Sequence, residues 1–368
     1  MIDLLALIIL CTVFAYYVQI RTAPYPSVRI GIKKDLQSKV IFWGILIAII
    51  LFAGLRTTYN DTYGYKGLFE VLVTKEIDIS EMEFGYIGFK IFQKLIKIYI
   101  TENSQMLIFL SAIITSVLNL FFIRRNSKFF CGSMYLFLIG GYIFSMAGIK
   151  QAIAVGIGLY AIEAYLNKKY IKAIVLLFLA MTFHPYIICL ICIPLLKDRI
   201  WGGKTLVLIV FCVLAFLNIE VVFELFGLIG KDYSDTTFDN YTINPFRVLV
   251  ESVPVIISFI YRKELNKTNN KLLILGVNMQ IISFVFIAIG LFADPIYLGR
   301  MATYFGCLSA IAIPEMLSIC WGKNKGDRVF KCGYYVFFFA YFLMDMTKIG
   351  SISIFYDQFR HVPFSSLF

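Results

Sequence analysis

The sequence predicts an all-α, polytopic bundle of membrane-spanning helices, about twelve in number, with both termini outside the cytoplasm. Three observations predict it. Of 368 residues, 60% are hydrophobic and 15% charged, with a mean hydropathy of +0.81, whereas soluble domains are nearer half apolar and about a quarter charged. The apolar residues fall in runs of helix-spanning length, which for a hydrocarbon core means about 20 residues. The loops between the runs alternate in charge, as cytoplasmic and outer loops do. A net charge of +11 can signal nucleic-acid binding. Here the basic residues sit in short clusters between apolar runs, so membrane topology accounts for them and no nucleic-acid partner is expected.

The first span, near 2–20, carries Asp3 and no basic residue ahead of its apolar stretch, and so reads as a retained helix rather than a signal peptide. Further spans are expected near 40–55, 104–123, 129–147, 149–166, 171–183, 185–196, 205–219, 247–261, 272–291, 297–319 and 331–347. The two that flank His184 are unusually short. Every second loop is basic: Arg21 to Lys39, Arg124 to Lys128, Lys168 to Lys172, Lys197 to Lys204, Arg262 to Lys271 and Lys323 to Lys331. Their acidic residues are only Asp35, Asp198, Glu264 and Asp327, which assigns these loops to the cytoplasm. Two outer loops are long. The first, 56–103, contains an amphipathic stretch near 85–100 with Lys90, Lys94 and Lys97 on one face, as in a helix lying along the membrane surface. The second, 220–246, is acidic and reads as a lid or a short amphipathic element. With no repeat or soluble segment in evidence, residues 1–368 read as a single integral membrane domain.

The eight cysteines are scattered through apolar segments, where a thiol acts as a small hydrophobe. Cys189 and Cys192 form a C-x-x-C without a second pair or a neighbouring carboxylate, and so are read as packing residues rather than a metal or redox site.

Ionisable residues embedded at helix ends are costly and therefore informative. Gly54-Leu55-Arg56 closes the second span, followed by Asp61, Tyr65 and Phe69 and later by Glu83-Phe84-Gly85-Tyr86. The fork of Arg56 suits a phosphate, and Asp61 can orient it or exchange protons. Against this stands an interfacial arginine that only snorkels to headgroups. Lys150 and Gln151 open the fifth span, where free N–H groups also favour anions; the plainer reading is an anchoring lysine. Phe183-His184-Pro185 lies at an outer turn where proline breaks the helix, and its imidazole can take a proton from a hydroxyl or pair with phosphate. Asp294-Pro295 precedes Gly299-Arg300, with Arg300 just inside the eleventh span and Tyr304 one turn on along the same face. Arg247, and Arg360 with His361, are weaker candidates. Glu163, Glu251, Glu315 and Asp345 are intramembrane carboxylates that serve either helix packing or proton linkage. Arg56, Lys150, His184 and Arg300 thus come from four helices on one side of the loop-charge topology. Together they describe an outward cationic pocket suited to a membrane-anchored anion such as a polyprenyl diphosphate.

At these residues the chain resembles the EpsG family of Wzy-type polysaccharide polymerases. The resemblance is carried by Gly54-Leu55-Arg56 with Asp61 and Tyr65, by Glu83, by Lys150-Gln151-Ala152, by Asn167-Lys168-Lys169-Tyr170 leading to Phe183-His184, and by Gly299-Arg300 with Tyr304-Phe305. It is best over roughly residues 45–200, with a second patch near 294–305. The family usually has Arg-Gln where this chain has Lys150-Gln151, which keeps the charge but loses bidentate phosphate geometry.

The resemblance implies a bacterial cytoplasmic-membrane glycosyltransferase acting on its outer side, which polymerises undecaprenyl-diphosphate-linked repeat units into exopolysaccharide or capsule. Arg56, Lys150 and Arg300 would neutralise the diphosphate, and His184 or Asp61 would accept the acceptor's proton. Gln151, Tyr65, Glu83, Tyr304 and Arg247 would line the substrate. No cofactor or metal is expected, and the partners are lipid-linked glycans, the bilayer and other polysaccharide-assembly proteins. The alternatives are a lipid-linked oligosaccharide flippase or other transporter, a ligase-like or acyl-transferring enzyme, and a non-catalytic assembly partner. A transporter should carry midplane ionisable groups in both halves and often repeat symmetry, whereas here the strongest candidates cluster at outer helix ends and no repeat is seen.

Overall fold

The computed structural model describes residues 1–22, 36–72, 86–218, 243–292, 295–322, 324–348, 353 and 356–367. Regular structure among them is helical, with one isolated antiparallel bridge between Arg56 and His361. In lipid a chain must satisfy its backbone groups locally, and apolar runs of this length do so by closing i to i+4 hydrogen bonds. Among the described residues eight helices are long and apolar enough to cross a membrane: Ile2–Arg21, Leu36–Gly54, Ser104–Asn126, Phe130–Ala147, Ile149–Leu166, Lys271–Ile289, Leu298–Cys320 and Lys325–Met346. The chain is therefore a multi-pass membrane protein. The expected spans near 171–183, 205–219 and 247–261 are helices of 14, 15 and 16 residues, and that near 185–196 is a 3-10 helix followed by a single α turn. The expected surface element near 85–100 is the helix Ile87–Tyr99. Most of the 220–246 loop falls outside the described residues.

In chain order the helices are α1 (Ile2–Thr22), α2 (Leu36–Gly54), α3 (Thr62–Glu70), α4 (Ile87–Tyr99), α5 (Ser104–Asn126), α6 (Phe130–Ile139), α7 (Gly141–Ala147), α8 (Ile149–Leu166) and α9 (Tyr170–Phe183). After the 3-10 helix Pro185–Cys192 come α10 (Ile193–Leu196), α11 (Gly203–Leu217), α12 (Pro245–Ile260), α13 (Arg262–Leu265), α14 (Lys271–Ile289), α15 (Pro295–Phe305), α16 (Ser309–Cys320) and α17 (Lys325–Met346). Asparagine side chains start three of them: Asn103 accepts from Gln105 N, Asn244 from Phe246 N and Asn270 from Leu272 N. The chain packs as two compact units. One comprises Met1–Ile77, Ile91–Gly156 and Phe342–Phe368; the other comprises Asp78–Lys90 and Ile157–Tyr341.

In the first unit α2 packs against α1 and α5, and α1 against α6. Gly54 permits the close approach of α2 to α5, since a Cβ there would sit 2.6 Å from the Phe109 ring and 3.2 Å from its Cα. One end of this unit gathers the start of α1, the end of α2, the start of α5 and the tail. The Met1 amine lies 3.9 Å from the Asp357 carboxylate, and Asn103 donates to Ser366 O at 2.7 Å. Arg124 and Arg125 occupy the last turn of α5, at its opposite end. Lys97 does not reach outward from α4. Its amine donates to Phe69 O, Glu70 O and Leu72 O at 3.0, 2.8 and 2.9 Å, because the carbonyls at the end of α3 have no helical partners and attract a cation.

In the second unit the central helix is α14, packed by α11, α12, α15 and α16. Its loops with basic residues are knitted together: Lys197 donates to Tyr165 OH, Asn266 accepts from Ile200 N, and Asn270 donates to Glu315. Glu251 accepts from Gln280 at 3.4 Å. Glu251 and Glu315 are thus partnered by side chains of neighbouring segments, as buried polar groups require. A void of only about 10 Å³ lies between Pro254, Ser258, Gly276, Gln280 and Ala312, and no candidate site residue lines it.

Candidate functional site

In the first unit the site is built on the end of α2. Arg56 is 1% exposed. Its Nε donates to Thr62 Oγ1 at 3.2 Å, one terminal nitrogen to Met146 O at 2.7 Å and the other to Ala53 O. Burial pushes the guanidinium down to about 10, still well above neutrality, so Arg56 is a cation that grips backbone carbonyls. Around it the chain is held on both sides. Gln105 donates to Gly54 O and Arg56 O, and the tail crosses over residues 55–58 through Thr57 N to Arg360 O at 2.7 Å and Val362 N to Leu55 O at 3.0 Å. The His361 ring packs at a tilt against Phe52, 4.7 Å between centroids, and its Nε2 lies 2.9 Å from Phe52 O.

The turn into α3 is strained. Tyr59 and Asn60 both have positive φ, at 102° and 42°. Asn tolerates this region, but a bulky Tyr does not, at a cost of about 1–3 kcal/mol. Stacking of Tyr59 on Phe359 at 4.4 Å and a bond from Thr62 Oγ1 to Tyr59 O hold it there. Asp61 follows at the N-cap of α3, exposed, with no capping bond from its carboxylate. One turn later the Tyr65 ring lies under Lys150, whose Nζ is 5.9 Å from the ring centroid, a cation–π distance. Gln151, beside it, is buried.

The second unit presents the other group. Residues before proline are disfavoured in the α region. Accordingly α9 stops at Phe183, His184 is extended (φ −154°, ψ 113°), and Pro185 opens the 3-10 helix. His184 is 5% exposed and its Nδ1 lies 2.5 Å from the hydroxyl of Tyr304, which is fully buried. Rings of Tyr86, Tyr186 and Tyr304 surround it at 5.8, 5.3 and 5.9 Å. Arg300 stands one turn before Tyr304 on α15, half-buried. Packing of Phe286 on Phe305 and a bond from Ser283 Oγ to Ala302 O dock α15 on α14, which holds Tyr304 in place.

The structure therefore brings together His184, Tyr304 and Arg300 in one unit, and Arg56, Asp61, Tyr65, Lys150 and Gln151 around one helix end in the other. Arg247 is exposed in the first turn of α12, outside the ring of side chains around His184. Glu83 and Asp294 lie outside the described residues. Sequence reasoning missed the partners of Arg56, namely Thr62, Gln105 and the carbonyl of Met146. It grouped Tyr86 with Arg56, whereas Tyr86 meets His184. No spacing rule links residues so far apart in sequence. The left-handed pair at 59–60 was the only local signal, through the turn-forming Asn60.

No curated protein and no solved structure matches this chain. Its sequence matches one family, associated with polysaccharide polymerases, over residues 39–361, nearly the full length, and the chain thereby belongs to the EpsG family.

Proposed function

We propose that this protein is an extracytoplasmic glycosyltransferase of the bacterial cytoplasmic membrane that polymerises undecaprenyl-diphosphate-linked repeat units into exopolysaccharide or capsule. The observation that carries the reading is the buried His184–Tyr304 pair with Arg300 at a helix break, in a chain of a family associated with polysaccharide polymerases. Loop charge supports an outward orientation, since the basic clusters lie at the helix ends opposite to those carrying Arg56, Lys150, His184 and Arg300.

In the reaction, the bond between the anomeric carbon of the growing chain and its diphosphate breaks, with the electron pair leaving on phosphate oxygen. A hydroxyl of the lipid-linked repeat unit forms the new bond to that carbon and gives up its proton. Arg300 in the one unit, or Lys150 with the buried cation Arg56 in the other, offsets the developing charge on the diphosphate. Asp61 or His184 takes the proton. Tyr65, Gln151, Glu83, Tyr304 and Arg247 shape the substrate surface, and side-chain cations supply the charge that a metal would otherwise supply. Lipid, the lipid-linked glycans and other assembly proteins are the partners.

Deleting the gene and fractionating the lipid-linked material tests this directly. Single repeat units accumulating on the outer leaflet are the expected result; accumulation on the inner leaflet would instead identify a flippase. Substituting His184→Ala and Arg300→Ala in the well-expressed protein is expected to abolish polymer, and full synthesis by both variants would refute the site.

A further inference from the structure

We infer that Tyr304 donates its hydroxyl proton to Nδ1 of His184 and so holds His184 as a neutral imidazole protonated on Nε2, a hydrogen-bond donor to anionic oxygen rather than a proton acceptor. The balance of donors and acceptors fixes the tautomer. A phenol has one O–H to give, a neutral imidazole has one donor and one acceptor nitrogen, and an imidazolium has two donors and no acceptor. Tyr304 is fully buried, and among the described residues its hydroxyl bonds to Nδ1 alone. Were Nδ1 protonated, whether in the other neutral tautomer or in the imidazolium, it would donate to the phenol oxygen. The phenolic proton would then lie buried without an acceptor, at a cost of about 1–3 kcal/mol. Only the tautomer with its proton on Nε2 satisfies both groups. Tyr304 is thus a positioning residue, rigidly presented by α15.

The consequence rests on the glycosyl-transfer reading and sharpens it. A neutral imidazole that donates through Nε2 stabilises an oxyanion without carrying charge of its own. His184 then bonds to the departing diphosphate oxygen, whose electron pair comes from the broken bond to the anomeric carbon. The acceptor hydroxyl's proton passes to a base other than His184.

The chain has two histidines, His184 and His361, so the full-length protein labelled with 15N-histidine and reconstituted in lipid bilayers yields two imidazole signal sets, separated by the His361→Gln variant. Expected for His184 is a protonated Nε2 and an unprotonated Nδ1 at neutral pH, with the Nδ1-protonated form appearing in Tyr304→Phe. An Nδ1-protonated ring or an imidazolium in the native protein overturns the inference. Polymer synthesis gives the second readout. Gln offers an N–H near the Nε2 position, so His184→Gln is expected to keep synthesis within about tenfold, while His184→Ala loses about 10²-fold or more. Equal loss in both variants overturns the donor role. The tautomer is measured without any polymer assay, so a protein that shows it yet makes no polymer overturns the glycosyl-transfer reading alone.

Discussion

Arg56 illustrates how the same side chain can be visible in a sequence while its task is not. An arginine at the end of an apolar run suggests a phosphate ligand, yet its three bonds go to Thr62 and to the carbonyls of Ala53 and Met146. Those acceptors are bonded by three different guanidinium nitrogens, a spread that a single ammonium nitrogen does not reproduce. Arg56→Lys is therefore expected to keep the charge and still lower stability by about 2–4 kcal/mol, through loss of charge-assisted bonds and exposure of the cost of unpaired carbonyls. Thermal unfolding in detergent or nanodiscs measures it. A variant as stable as the native protein would return Arg56 to a direct substrate role.

Among the helices, the ring contact on His184 depends on how closely the start of α4 approaches α9 within the second unit. Gly88 sits against Thr182: a Cβ there would meet the Thr182 hydroxyl oxygen and lie 2.9 Å from its Cβ and 3.1 Å from its carbonyl carbon. Since Tyr86 stacks edge-on against His184 at 5.8 Å, a larger residue at 88 must push this helix start away from the imidazole. Gly88→Val is expected to cost about 1–3 kcal/mol by overpacking and to reduce polymer synthesis more than protein abundance. Equal synthesis per folded molecule would show that Tyr86 has no part in the site. The helices themselves were legible in advance because apolar runs and Pro185 act on their own neighbours. The 3-10 form of Pro185–Cys192 was not, since a short apolar segment after proline can take either helical form.

At the level of the whole chain, the tail is a strap over the end of α2. It bridges residues 55–58, stacks Phe359 on Tyr59, and accepts from Asn103 at Ser366 O. Without it the positive-φ turn at Tyr59 loses its support. A chain ending at Lys348 is expected to fall in unfolding temperature by several degrees, about the effect of 1–2 kcal/mol in a large domain, and to lose protection of the 55–62 backbone in hydrogen exchange. Unchanged exchange across 55–62 would show that the strap is dispensable.

Composition, hydropathy runs and loop charge were sufficient for the class of fold, the positions of most helices and the short list of ionisable residues at helix ends, because backbone hydrogen bonds in lipid close within a segment and topology follows local charge. The partner of each buried polar group came only from the folded chain. Tyr304 reaches His184 across 120 positions, and the tail reaches Arg56 from the far end of the sequence. Such pairs are chosen by packing between helices, where the free energy of a buried donor depends on which acceptor happens to be beside it.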